Sequence, residues 1–272
     1  MSGPWILVGC GYTGTRLARA LVAQGAAVTI TRRDPATVAD LAASLGVHGT
    51  SADLGRPATL EGLVPPGAIV VCLAPPGTDP AAEIAALVAA SQQARKLVYV
   101  SSTGVYGPGG GAWVDEAWPL APITPSGRAR VVAEAALQGA SVPTVALRVA
   151  GIHGPGRGVV ERLKAGTYRI IGDGRAHVSR IHVDDLVTAI IAAGTTPATG
   201  PINIADDDPA PIGEVGDTLA AALGVAAPPR VAVESVSPEV AGMLTADRRI
   251  ANRRMKDELG VVLRYPSWRS AI

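Results

Sequence analysis

Along the first 150 positions, short apolar runs alternate with amphipathic stretches. "WILVG" (5–9), "AVTIT" (27–31), "AIVVCLA" (68–74), "KLVYVSS" (96–102) and "TVALRVA" (144–150) are too short and too uniformly apolar for surface helices, and read as buried strands. Between them lie helical patterns. "GTRLARALVAQG" (14–25) turns Leu17, Ala18, Leu21 and Val22 inward and stops at Gly25. "LAASLG" precedes a short strand near "VHGTS", and "PATLEGLV" (57–64) is a further helix candidate. "DPAAEIAALVAASQQ" (79–93) opens with Asp79 and Pro80, a cap followed by a first-turn proline. "TPSGRARVVAEAALQG" (124–139) opens with Thr124 and Pro125 and ends at Gly139, with Ala129, Val132, Ala133, Ala136 and Leu137 along one face.

Repeated β-α alternation with doubly apolar strands predicts an α/β fold, a Rossmann-type doubly wound parallel sheet covered on both faces. Such sheets bind ligands at the carboxyl ends of their strands. After residue 150 the pattern loosens. Helices are expected at 158–165, 183–193, 211–223 and 249–259, with short strands near 168–171 and 202–205. The expected organisation is a Rossmann domain over 1–150, its sheet completed by parts of 178–206. Residues 151–177 and 207–272 would form a smaller C-terminal substrate lobe.

Composition narrows the classes. The 272 residues are 48% hydrophobic, ample for a core, and carry a net charge of +1, which argues against a nucleic-acid or anionic-membrane partner. Cys10 and Cys72 have neither CxxC nor zinc spacing and end apolar runs, so they read as buried thiols of a reducing cytoplasm. No set of His, Cys and carboxylates has metal spacing. No apolar run reaches membrane-spanning length, and "MSGPWILVG" lacks the charged flank of a secretory signal.

"GCGYTG" sets Gly9, Gly11 and Gly14 in GxGxxG spacing directly after the first strand and at the start of a helix. Gly9 permits the tight turn, Gly11 lets the backbone approach a pyrophosphate, and Gly14 allows close helix–strand packing. With 32 glycines the spacing alone is weak; its position between strand and helix carries the weight. The second strand ends at Thr31, where an acid would hold the ribose 2′-OH of NAD, and Arg32 and Arg33 follow. Guanidinium groups suit a 2′-phosphate, so NADP is favoured, while Asp34 leaves NAD open.

These residues resemble the short-chain dehydrogenase/reductase superfamily, in its extended NAD(P)-dependent epimerase/dehydratase branch and that branch's atypical members. "GCGYTG", "ADLG", "CLAPP", "VSSTGVYG", "RVAGIHGPG", "GDGRAHVSRIHVDDL" and "INIADDDP" carry the likeness over nearly the whole length. The resemblance implies cofactor contacts at Gly9, Gly11, Tyr12, Thr13, Gly14, Arg32, Arg33, Asp53, Leu54, Leu73, Ala74 and Ser101, and an active-site hydroxyl at Ser102. His153 stands where the family commonly has tyrosine. The departure lies in the 124–139 helix. Aligned on Gly127 and Glu134, Ser126 occupies the position of the family's catalytic tyrosine and Arg130 that of its lysine.

A phenol, with pKa near ~10 lowered by a neighbouring ammonium, can supply the proton that accompanies a hydride. A serine hydroxyl is a far weaker acid, and an arginine does not release its proton. Arg130 also sits four residues before Glu134, where a surface ion pair would form. Tyr106, His153, His182 and a water relayed by Ser102 or Ser126 are the candidate replacements. Arg157, in the "GPGRG" turn, could meet an anionic substrate group. Two functions follow. One is an NADP-dependent oxidoreductase or epimerase-like enzyme on a small polar carbonyl or hydroxyl substrate, monomeric or homodimeric. The other is a non-catalytic NADP-binding sensor or partner-binding module.

Overall fold

Seven of the apolar runs pair into one parallel sheet. The structure, a computed structural model, describes residues 3–271. The strands are β1 (Trp5–Val8), β2 (Val28–Arg32), β3 (His48–Ser51), β4 (Ile69–Cys72), β5 (Lys96–Ser102), β6 (Thr144–Val149) and β7 (Gly200–Ile204). Their order is β7-β6-β5-β4-β1-β2-β3. Trp5 of β1 lies level with Val28 of β2 on one side and with Ile69 of β4 on the other. The order therefore reverses at β1, and the turn after β1 sits at the topological switch point, the place where such sheets bind dinucleotides.

The helices are α1 (Tyr12–Ala23), α2 (Pro35–Leu45), α3 (Pro80–Ala90), α4 (Pro125–Ala136), α5 (Val159–Lys164), α6 (Val183–Thr195), α7 (Ile212–Leu223), α8 (Pro238–Leu244) and α9 (Arg253–Leu259). Their starts follow local chemistry. Asp34 accepts from Thr37 N at 2.7 Å and Asp79 from Ala82 N at 3.1 Å, each followed by a first-turn proline. Thr124 caps α4 by accepting from Gly127 N at 3.1 Å, as the sequence predicts.

Four expectations change. Val22 is 38% exposed, because the buried stripe of α1 is Leu17, Ala18 and Leu21 and Val22 falls on its edge. Val132 of α4 is likewise exposed. The 57–64 helix shrinks to the 3₁₀ turn Pro57–Leu60, and 249–259 divides into a strand, Arg249–Ile250, and α9. Helix α8 was not expected at all. Ser237 and Pro238 give it a proper start, but seven residues are too few to show a periodic apolar face.

Two compact units divide the chain. The first comprises Met1–Ser101, Ala129–Leu147 and Val187–Pro201; the second, of similar length, comprises Ser102–Arg128, Arg148–Leu186 and Ile202–Ile272. The core of the first is built from Ile6, Val8, Val70, Leu87, Leu97 and Leu137. Within it, Lys96 is buried, and its ammonium donates to the carbonyls of Thr196 (2.9 Å) and Ala198, just past the end of α6. A cation there meets the negative end of the helix dipole. The core of the second unit gathers Tyr168, Ile170, Ile212, Leu219 and Trp268.

The stretch 102–128, which the sequence assigns to the first domain, goes with the second unit. Polar bonds explain this. Tyr106 Oη donates to Asn203 Oδ1 at 2.7 Å and accepts from Arg148 Nη1 at 2.9 Å. Asn203 N donates to Glu116 Oε1 at 2.7 Å, and strand Trp113–Val114 pairs with Arg249–Ile250. A buried network of this kind is costly to break.

Gly127 lets the start of α4 meet the 3₁₀ turn Thr103–Val105. A Cβ on it would lie 2.3 Å from Gly104 O and 2.9 Å from Pro122 Cβ. Gly127→Ala, normally favourable in a helix, is therefore expected to destabilise by about 1–3 kcal/mol. A denaturant midpoint equal to or above that of the wild type would contradict this packing.

Candidate functional site

The first unit carries the dinucleotide turn. Gly9 has φ +84°, and a Cβ on it would stand 2.7–2.8 Å from the backbone and side chain of Ala74. Only glycine fits. Gly14 packs on Cys10 and Leu73, at 3.1 and 3.2 Å from a notional Cβ. Gly11 is the opposite case, with nothing within 4 Å of its notional Cβ. Space is thus kept open on the one glycine that should face a ligand. The α1 N-terminus has no side-chain cap, so its N–H groups and dipole are directed at that space. These features fit a pyrophosphate. Tyr12 is half-buried and carries the Arg16 guanidinium 3.9 Å above its ring, and Thr13 is buried.

The end of β2 braces this turn. Thr31 is fully buried, and its Oγ1 accepts from Gly9 N at 3.2 Å. Arg32 Nε donates to Cys10 O at 2.7 Å, while Arg33 is exposed. Asp34, the acid that left NAD open, is committed to capping α2. Asp53 Oδ1 accepts from Gly55 N at 3.1 Å, and Leu54 is buried. Leu73 N and Ala74 N both donate to Val8 O, at 2.8 and 3.2 Å, which ties the end of β4 to β1. Both cysteines are buried and free, and burial pushes the Cys72 thiol up to about 12.

At the end of β5, Ser101 is buried and donates to Glu134 Oε1 at 2.5 Å. Glu134 is therefore engaged by Ser101. Arg130 Nη1 donates to Val100 O at 3.0 Å, so the arginine braces the strand end. In the second unit, Ser102 Oγ accepts from Gly104 N at 3.0 Å, which leaves its hydroxyl proton free to donate. Ser126 does not have that freedom: its Oγ donates to Glu239 Oε1 of α8, and its N to Glu239 Oε2 at 3.4 Å. Glu239 was missed by the sequence reading because α8 was missed. Tyr106 must be withdrawn as a proton donor. It is fully buried, and both its donor and an acceptor position are used structurally.

The second unit also carries an open-sided cavity of about 390 Å³. His153 and Arg157 line it, as do Arg180, His182, Tyr265 and Trp268. His182 Nδ1 accepts from Asp184 N at 3.2 Å at the start of α6, and its ring stacks on Tyr265 at 3.7 Å. Asp185 holds Tyr265 there by accepting from Arg264 N and Tyr265 N, each at 2.9 Å. His153 packs edge-on to His182 at 5.3 Å, and its buried Nε2 has no hydrogen-bond partner among the described residues. Burial, with His182 and Arg180 adding to it, pushes His153 down to about 4. It is neutral at physiological pH and is no imidazolium acid.

Sheet order and the open turn after β1 define a dinucleotide-binding protein. Residues 9–193 match the sequence model of the family described as NAD(P)H-binding, and the chain belongs to that family. It is 34% identical over 196 residues to a 3-diazoavenalumate denitrifying reductase of Streptomyces sp., a match covering 66% of this chain and 64% of that protein. Among solved structures, a conserved protein of unknown function from Silicibacter pomeroyi DSS is 32% identical with TM-score 0.85, over 99% of this chain and 96% of that one. A protein of Methylobacillus flagellatus assigned to the NAD-dependent epimerases/dehydratases is 26% identical with TM-score 0.76, over 100% and 96%. The expected kinship with the short-chain dehydrogenase/reductase superfamily and its nicotinamide cofactor is borne out. Among the described residues no helix is long and apolar enough to cross a membrane.

Gly11→Val tests the turn. Open space around the position predicts an unchanged denaturant midpoint, and blocked phosphate approach predicts at least tenfold weaker NADPH binding by calorimetric titration. Unimpaired binding would place the ligand elsewhere. A second test concerns Asp206, whose Oδ2 is buried without a partner and which burial pushes up to about 8. Between the ordinary carboxyl range and about pH 8 the unfolded chain has lost this proton while the folded chain keeps it, so stability falls as pH rises through that window. Asp206→Asn should therefore gain on the wild type from pH 5 to pH 8, by on the order of 1 kcal/mol per pH unit. Parallel stability curves would contradict the burial argument.

Proposed function

We propose that this protein is an NADPH-dependent reductase of a small carbonyl-bearing substrate. The observation that carries the reading is the end of β2. Thr31 is buried against the turn, Asp34 is spent on a helix cap, and Arg32 and Arg33 stand where a 2′-phosphate would be met. The reductase named among its relatives supports the same direction.

The reduced cofactor supplies a hydride when bound. The protein's part is to hold the carbonyl and deliver a proton. Ser102 is the best-suited hydroxyl, since it accepts from Gly104 N and still has a proton to donate. Ser126 is committed to Glu239 and Arg130 to Val100 O, so neither reproduces the family's phenol–ammonium pair. Water hydrogen-bonded to Ser102 is the remaining proton source. The same commitments favour a second reading, in which the protein binds NADPH without turning over.

NADPH is expected to bind at least tenfold more tightly than NADH, with Arg33→Ala narrowing the gap. With a panel of small aldehydes and ketones, wild type should consume NADPH, and Ser102→Ala should lower kcat roughly a hundredfold at unchanged NADPH affinity. Tight NADPH binding with no reduction across the panel would favour the non-catalytic reading. Preference for NADH would overturn the assignment of the arginines.

A further inference from the structure

The cavity of the second unit is lined by a buried guanidinium that has no direct ion pair among the described residues. Arg180 is only 6% exposed, on the short strand Arg180–His182. Its Nη1 donates to Val178 O at 2.8 Å, and no carboxylate forms an ion pair with it among the described residues. Tyr168, whose side chain hydrogen-bonds it, is its strongest electrostatic partner, followed by Asp206 and Asp208, and neither carboxylate comes within ion-pair distance. Asp208 is engaged by Ser267 at 2.6 Å and by Arg269. An arginine buried without a counter-ion is costly, because desolvation is not repaid. Beside it, His153 is 7% exposed with Nε2 unpartnered. Both line the cavity, with Arg157 and Lys164 adding positive charge and Glu161 opposing it.

The rest of the wall is apolar or aromatic. Val160 of α5, Val215 and Leu219 of α7, Tyr265 and Trp268 supply it. A volume of about 390 Å³ lies within the range of roughly 300–1,000 Å³ common for small-molecule sites. Positive polar groups at one part of an apolar, ring-lined chamber select a molecule with an anionic head and a flat apolar body.

We propose that this cavity binds a small aryl carboxylic acid, its carboxylate on the Arg180 guanidinium and His153 Nε2 and its ring against Tyr265 and Trp268. The carboxylate supplies a direct ion pair for Arg180 and, with His153 in the Nε2–H tautomer, satisfies the orphaned nitrogen. As a statement of substrate class it rests on the reductase reading; as a binding site it does not.

The test is calorimetric titration of the full chain, without dinucleotide, using cinnamate and its neutral isostere cinnamamide. Cinnamate should bind, and cinnamamide at least tenfold more weakly. Val160→Trp, which fills the chamber from a half-buried position without touching a charge, should abolish binding. His153→Phe should weaken cinnamate at least fivefold and leave cinnamamide unchanged. Arg180→Met should remove the preference for the acid, and circular dichroism would show whether that variant folds; if it does not, Val160→Trp and His153→Phe decide. Equal binding of acid and amide, wild-type binding by Val160→Trp, or no binding of cinnamate by the wild type overturns the proposal. NADPH titration of the same samples reads the cofactor site separately, so failure of one is distinct from failure of the other.

Discussion

The close approach of β1 and the end of β4 is the constraint on which the first unit depends. Gly9 leaves β1 in a left-handed conformation with Ala74 closer than any side chain allows, and Val8 O accepts from both Leu73 N and Ala74 N. Thr31 then closes the turn from the β2 side. With both flanks fixed, the backbone must swing into α1 at Gly11, where space is kept open. A turn so over-determined is rigid before any ligand arrives, which limits the entropy lost on binding. The open volume is therefore a by-product of tight packing on either side of it.

Helix α4 shows how a scaffold outlives the chemistry once placed on it. Its cap at Thr124, its close approach through Gly127 and the bond from Glu134 to Ser101 are all structural, and all are present. Ser126 and Arg130 have structural partners as well. Ser126 holds α8 through Glu239, and Arg130 holds the end of β5 through Val100 O.

The second unit is organised by buried polar bonds as much as by apolar burial. Tyr106, Arg148, Asn203 and Glu116 bring together segments nearly a hundred positions apart. Asp185 and His182 fix Tyr265 in the same way. Around these satisfied groups stand three atoms that are not: His153 Nε2, Asp206 Oδ2 and Trp268 Nε1 have no hydrogen-bond partner among the described residues. Native proteins rarely bury such groups unpaired, and two of the three residues, His153 and Trp268, line the cavity.

Much was legible in the chain alone. The sheet strands, the capped helices and the GxGxxG turn depend on neighbours within a few residues, on runs of apolar side chains, Asp-Pro and Thr-Pro starts, and glycine spacing. Local rules suffice where the determining contacts are local. Ser126 and Arg130 were also visible, since their positions are simply counted along the helix. What the sequence could not determine is which polar side chains are occupied. Tyr106, His153 and Ser126 look alike as candidates in one dimension. Partners 42 to 113 positions away decide that Tyr106 and Ser126 are engaged while the His153 nitrogen is not. The cavity around Arg180 was beyond reach for the same reason. Its wall is drawn from several separated segments, and neither desolvation nor the lack of a counter-ion exists until tertiary packing removes the water.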